Sequence, residues 1–296
     1  MKNSKKMTSK KLKEYGQLLF LLKFAFSFIL LFLLALSISC VAFPYYIVLQ
    51  LMIGALYVHM KELQHEALHG STPSKCLDRF LGFLLGLPML VSYSDYRYNH
   101  LYHHRYIGTI KDSEYFTYNE GKQDSYWKFI LGLFMFEHYI NIAKKFINAI
   151  FLNTMNISSL RTQRKIREEY ITMFIIIIWI SALSIYYKSF LAIKIWLAPL
   201  FLFCAPINYL IELPEHVFCE KKDTNIFCNT RTIKSNFFIT WLVNGNNYHV
   251  EHHYAPNYPI SFLSALHSEL KLKLIHYNES YIEFYRYFFK KIKRVV

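Results

Sequence analysis

Nine of the chain's thirteen histidines fall in four short places. His65-Glu66-Ala67-Leu68-His69 is an HxxxH, while His100-Leu101-Tyr102-His103-His104 and His249-Val250-Glu251-His252-His253 are each an HxxHH. His216 stands alone, just after Glu212-Leu213-Pro214-Glu215. Neutral imidazole is the commonest metal-binding side chain. On a helix, positions i and i+4 lie roughly 40° apart and i+3 roughly 60° to the other side, so each group turns its rings off one face. One such pair is a common coincidence of surface or core. Two HxxHH groups with an HxxxH and a further lone ring form a metal-binding pattern. Nine imidazoles exceed the coordination shell of one ion, so two ions are implied, although spacing does not choose the metal. His59, His138, His267 and His276 stand apart and read as packed or solvated residues.

The first group also fits HExxH, in which two histidines bind zinc and the Glu acts as general base in a metalloprotease. An intramembrane zinc protease would need His65, Glu66, His69 and one further ligand. It leaves most of the clustered histidines without a purpose. A metal-binding membrane protein without catalysis is a third class, distinguished by consuming no O2.

The elements that must bring these groups together are apolar. The 296 residues are 54% hydrophobic and only 18% charged, with 26 Phe and 24 Tyr, against about 25% charged in an average globular chain. That composition excludes a soluble cytoplasmic enzyme, a disordered chain and a fibrous one. From Phe24 to Met60, 37 residues pass without Asp, Glu, Lys or Arg. One helical crossing takes about 20, so this stretch predicts two, near 20–42 and 45–64, turning at Pro44 with Lys23 snorkelling. The uncharged runs Tyr170–Tyr187 and Ile195–Ile211 predict a second hairpin, with Lys188 and Lys194 at its turn. Phe80–Ser94, at 15 uncharged residues, is too short to cross upright, and it and the aromatic stretch near 126–152 are expected to be interfacial or re-entrant. His65 and His216 then emerge on one side with both HxxHH groups, so all nine histidines are expected to converge.

The net charge of +14 is concentrated at Lys2, Lys5, Lys6, Lys10, Lys11 and Lys13, at Arg161, Arg164, Lys165 and Arg167, and at Arg286, Lys290, Lys291, Lys293 and Arg294. These groups flank apolar runs, which is the positive-inside signature rather than a nucleic-acid face. They place both termini and the histidines on the cytoplasmic side, in the plasma (inner) membrane if the source is bacterial. Cys40, Cys76, Cys204, Cys219 and Cys228 form no CxxC and no disulfide framework. The basic start is expected to be a retained anchor, because the apolar run is too long for a signal peptide and lacks a cleavage site. Gly82 and Gly86 form a GxxxG, expected to mark close packing. The expected architecture is an all-α integral membrane protein, with four transmembrane helices in two hairpins and a cytoplasmic helical cap holding a histidine-rich dimetal site. Residues 1–16 are a basic cytoplasmic segment, 17–275 the membrane domain, and 276–296 a basic cytoplasmic tail.

The ordered set HEALH, HLYHH and HVEHH between two apolar hairpins resembles the membrane fatty acid desaturase and hydroxylase superfamily. The run His103–Phe116, with the acids Asp112 and Glu114, and the run Asn246–His253 followed by Tyr254-Ala255-Pro256 and Pro259, are similar in order and spacing. The resemblance implies a di-iron centre with O2 as cosubstrate, held by His65, His69, His100, His103, His104, His249, His252 and His253, with His216 as the extra ligand. Where that family often has Asn, this chain has Glu212, a candidate catalytic carboxylate that could bind metal directly or through water. The three-residue spacing in the first box is more like acyl-lipid desaturases, hydroxylases and carotenoid ketolases. No HPGG segment and no GxGxxG appear, so electrons are expected from an external ferredoxin or cytochrome b5-like donor with its reductase. The implied substrate is a membrane lipid or acyl chain, and no nucleic-acid partner is expected. Glu66, Glu251 and Asp112 are candidates to orient ligand imidazoles through their second N–H.

Overall fold

The computed structural model describes residues 8–112, 125–151, 157 and 159–293; Lys2, Lys5, Lys6, Glu114, Phe116 and Arg294 lie outside them. The described chain is mostly helical. Helix α1 (Ser9–Cys40) starts at the Thr8 side chain, which accepts from the Lys11 N–H. It takes in Lys10, Lys11 and Lys13, so the basic segment expected over 1–16 is in part the first turns of this helix. Beyond the turn at 41–45 runs α2 (Tyr46–Leu68), the central helix, buried almost continuously from Ile53 to Leu68. Helices α3 (Lys75–Gly86) and α4 (Tyr93–Tyr106) follow, bent by 97° to one another. Then come α5 (Tyr126–Leu133), α6 (Phe136–Ile150), α7 (Leu160–Tyr186) and α8 (Ile193–Glu215), the last containing two π-helical stretches and ending in a 3₁₀ turn.

Three helices, α1, α7 and α8, are long and apolar enough to cross a membrane, and the bent α3–α4 pair would make a fourth if counted as one span. Helix α2 is not among them, although residues 45–64 are expected to form a crossing. Its uncharged part ends at Met60, and Lys61, Glu62 and Glu66 follow, all buried inside the protein. Charged groups at that depth are tolerated only against protein partners, and the partners are present, as described below. The 97° bend agrees with Phe80–Ser94 not being a straight crossing.

The bend has clear local causes. Pro88 and the left-handed Leu90 (φ 59°) end the first helix, and the Ser92 side chain caps α4 by accepting from the Asp95 N–H. Buried Glu169 of α7 then holds the corner. Its carboxylate accepts from the Ser92 hydroxyl (2.7 Å), the Ser94 N–H (2.9 Å) and hydroxyl (2.6 Å), and Arg79 Nε (2.7 Å). The GxxxG lies on the inside of the corner, where a side chain at Gly82 would run into the Tyr93 ring and one at Gly86 into the Val91 carbonyl and Gln64.

Past α8 the chain is compact and irregular, with α9 (Ile226–Asn229), β1 (Arg231–Ile233), α10 (Phe237–Leu242), α11 (His249–Tyr254), α12 (Leu263–Leu270), β2 (His276–Asn278) and α13 (Tyr281–Lys293). β1 and β2 pair in parallel, Arg231 opposite His276, so the fold is not purely helical. Residues 276–293, within the segment expected as a basic tail, supply this strand and a helix docked in the core. Phe284 and Phe288 of α13 are fully buried. The Arg231 guanidinium lies over Phe284 and donates to the carbonyls of Pro214 (2.7 Å) and Val217 (2.8 Å). Helix α13 alternates basic and aromatic residues at helical spacing, and the aromatic face is the one that packs. Lys23 does not snorkel either: its ammonium donates to Asn244 Oδ1 (2.6 Å) and Ser261 Oγ (2.8 Å).

Replacing Gly86 with Ala forces a methyl group against backbone at the inside of the corner, and overpacking of this kind costs about 1–3 kcal/mol. The thermal midpoint of detergent-solubilised Gly86→Ala is expected to fall by several degrees; an unchanged midpoint would show that the corner can open without cost.

Candidate metal centre

Four elements deliver the histidines. The last turns of α2 carry His65 and His69, α4 carries His100, His103 and His104, α11 carries His249, His252 and His253, and His216 caps the end of α8. β1 fixes α11. Thr232 Oγ1 accepts from the Val250 N–H (3.2 Å) and donates to Glu251 (2.5 Å), while Asn247 Nδ2 donates to the Ile233 carbonyl (2.8 Å).

The rings converge in two adjoining groups. His65, His69, His100, His104 and His252 place one ring nitrogen each within 4.8 Å of the others, and His103, His216 and His253 form a second such set. His249 joins the second, its Nε2 lying 3.2 Å from the Nε2 of both His216 and His253. The His104 and His253 rings stack at 4.2 Å and join the groups. Each HxxHH is thus split between them. The i,i+4 pairs His100/His104 and His249/His253 stay together, whereas the i+3 residues His103 and His252 turn to the opposite group, as the helical angles require.

The donor set fits metal ions. His100 Nε2 lies 2.8 Å from that of His65 and 2.9 Å from those of His69 and His104. A ring nitrogen carries at most one hydrogen, so hydrogen bonds cannot account for all three contacts. Nitrogens bonded to a common ion at about 2.0–2.1 Å and at right angles sit about 2.9 Å apart. All-imidazole sites suit Zn, Cu, Fe or Ni. The rings are also held neutral. Burial, with Arg97 nearby, lowers His69 to about 3, and burial with crowding by neighbouring imidazoles holds His249, His252 and His253 well below the ordinary histidine value.

The outer nitrogens explain the orientation. His103 Nδ1 faces Asp112 Oδ1 at 2.8 Å, His216 Nδ1 the Asn229 carbonyl at 3.0 Å, and His249 Nδ1 Asn246 Oδ1 at 3.1 Å. Each partner is an acceptor, so Nδ1 carries the hydrogen and the Nε2 lone pair points into the group. Of the three carboxylates expected to orient ligands, Asp112 does so. Glu66 instead accepts from Asn244 Nδ2 (2.7 Å), and Glu251 faces His267 Nδ1 (2.6 Å) and Thr232. Glu212 belongs to neither histidine group. Its carboxylate is ion-paired with Lys61 and accepts from Asn208 Nδ2 (3.2 Å). The carboxylate nearer the rings is one that sequence reading passed over, Glu215, whose Oε2 lies 3.5 Å from His249 Nε2 and whose Oε1 accepts from Asn246. Glu62, also passed over, lies 3.9 Å from His65 Nδ1. Its position three residues before the first box was the available signal, because i,i+3 residues share a helix face. His59 stacks on Trp241 at 4.2 Å, and none of His59, His138, His267 and His276 belongs to either group.

A family model described as "Fatty acid desaturase" matches residues 38–285 of this chain. The chain belongs to the fatty acid desaturase family. It is an oxidoreductase. Its sequence is 25% identical, over 260 residues, to dihydrorhizobitoxine desaturase of Bradyrhizobium elkanii, covering 81% of this chain and 70% of that protein. Family membership removes the protease as a reading of this desaturase-family site. The geometry concurs, since His65 and His69 face three further imidazoles and Glu66 is held by Asn244.

Two outcomes follow from this geometry. Histidines whose folded pKa lies below the unfolded value of about 6.5 bind fewer protons than the unfolded chain in the interval between the two. Their contribution to stability is complete above pH 6.5 and is lost as pH falls from there toward about 3 for His69. Thermal unfolding of the metal-free protein is expected to be flat from pH 8 to 7 and to fall below pH 6.5 with a slope of more than one proton; a flat profile down to pH 5 would mean the rings are not buried neutral. Separately, Asp112→Asn is expected to weaken metal binding about 10–100-fold in a chelator competition, with little change in the thermal midpoint of the metal-free form.

Proposed function

We propose that this chain is an O2-dependent di-iron desaturase that introduces a double bond into a lipid acyl chain, with electrons from an external ferredoxin or cytochrome b5-like donor and its reductase. The observation that carries this reading is the convergence of nine imidazoles into groups of five and four within a desaturase-family chain. His65, His69, His100, His104 and His252 would hold one iron, and His103, His216, His249 and His253 the other. Iron with O2 supplies the oxidising power to break an unactivated C–H bond. Removing two hydrogens from adjacent carbons yields the double bond. With two electrons and two protons from outside, O2 leaves as two waters.

The chain's own residues position the substrate and exclude water. A cavity of about 570 Å³ opens between α8, α10 and α13, walled by Ile207, Leu210, Ile211, Ile239 and Leu242, with Tyr281 in its lining. Tyr281 is half-buried, and desolvation together with Glu215 and Glu62 raises its phenol well above the ordinary value. Glu215 and Glu62, which lie beside His249 and His65, act on Tyr281, so this is the side from which the methylenes of an acyl chain would be presented. In this reading α1–α2 and α7–α8 are the two hairpins, and both termini and the histidines face the cytoplasm. The basic residues at the start of α1 and α7 and along α13 support that sidedness.

The test is a mass-spectrometric profile of cells expressing the intact chain with a compatible donor, set against His252→Ala. A double bond present only with the intact chain is expected. Because the relative is named for dihydrorhizobitoxine and not for a fatty acid, both lipid and aqueous extracts are profiled. A new hydroxyl or keto group would assign hydroxylase or ketolase chemistry instead, and a product confined to the aqueous extract would remove the acyl-lipid assignment.

A further inference from the structure

Beside the first histidine group lies a buried set of charges with no part in the ligand shell. Lys61, Glu62 and Glu212 are 1%, 1% and 5% exposed. The Lys61 ammonium donates to Glu62 Oε1 at 3.0 Å, is ion-paired with Glu212 on α8, and lies 5.8 Å from the centre of the Tyr96 ring. Glu62 stands between the two histidine groups. Its Oε2 lies 3.9 Å from His65 Nδ1, and the Asn246 side chain, whose Oδ1 receives His249 Nδ1 at 3.1 Å, is near enough to favour its charged form. Tyr96 in turn stacks against His65, ring centres 6.2 Å apart. Lys61 therefore touches two groups that bear on His65, and one of them reaches His249 through Asn246.

Taking three charges out of water is tolerated only with tight mutual compensation, and removing one partner leaves the others costly. Without Lys61, two carboxylates would face each other in a space of low dielectric, and Glu62 would be driven away from its place between the rings. Without Glu212, Lys61 and Glu62 would still form a one-to-one pair. The two deletions are thus asymmetric, and the asymmetry is testable.

We propose that Lys61 is a positioning residue for the metal centre, matched to Glu212: it neutralises Glu212 so that Glu62 stays between His65 and Asn246. This rests on the reading of the histidines as iron ligands. The test uses the purified full chain in detergent and measures iron affinity by chelator competition, with the thermal midpoint of each metal-free protein as a check on folding. Lys61→Met is close in volume and removes only the charge. It is expected to bind iron at least about 10-fold more weakly, the range for loss of a group supporting a ligand. Glu212→Gln is expected to stay within about 3-fold of the native chain, and Lys61→Met combined with Glu212→Gln to recover to that level, which a packing role for Lys61 would not produce. Native affinity in Lys61→Met, or a double variant as weak as the single one, would overturn the proposal. So would a Glu212→Gln loss as large as that of Lys61→Met, since Glu212 would then act on the metal itself. A native chain that binds no iron would overturn the ligand assignment and this inference with it, and only that outcome is seen without any variant.

Discussion

The structure depends on one constraint: nine imidazoles face one another in a largely buried space, and burial holds most of them neutral. Three Nε2 atoms within 2.9 Å of His100 Nε2 would repel in the absence of hydrogens or a cation between them, and protonating such rings in a buried site is costlier still. Only a scaffold stable in its other parts can hold that arrangement. Much of the surrounding fold is best understood as compensation. The Glu169 clamp turns α4 back over the end of α2, the β1–β2 pair and Thr232 lock α11, and Arg231 ties α13 to the exit of α8. Each is a polar contact between segments far apart in the chain, placed where a histidine-bearing segment would otherwise be free to rotate.

The convergence of the nine histidines was legible in the sequence because it rests on two periodic quantities, 3.6 residues per turn and the length of an apolar run. The same angles contain the partition between the groups. A pair at i and i+4 points one way and a residue at i+3 the other, so an HxxHH on a helix is suited to face two centres at once. His100/His104 against His103, and His249/His253 against His252, realise this twice. The adjacency of two histidines in each box therefore has a geometric purpose, which counting ligands alone does not reveal.

What was not legible depends on contacts that carry no period. Glu212 was singled out because it stands where the resembling family often has Asn, and only the packing of α8 on α2 shows that Lys61 takes it while Glu215 turns toward His249. Lys23 reads as a snorkelling side chain until Asn244 and Ser261, more than 200 residues away, appear beside it. The C-terminal helix read as a tail for a different reason. Its basic residues obscured an aromatic stripe at Phe284 and Phe288, and an amphipathic segment looks alike whether its apolar face meets protein or nothing.

Helix α2 shows what charge counting along the spans leaves out. Its uncharged part runs through Met60 and packs among other helices, while its last two turns are as polar as a soluble active site and yet more deeply buried. The proposed chemistry, which would take O2 and electrons from one phase and an apolar chain from the other, calls for a site at their boundary, and the imidazoles here are fixed by carboxylates and amides. Those groups cannot face lipid. Wrapping α2 in α1, α3, α4, α8 and α10 lets one continuous helix pass from an apolar neighbourhood into the ligand shell with no exposed polar backbone between. The apolar cavity lined by Tyr281 opens beside it, between α8, α10 and α13. The charged end of α2 is therefore the condition that allows the polar site and an apolar cavity to belong to one bundle.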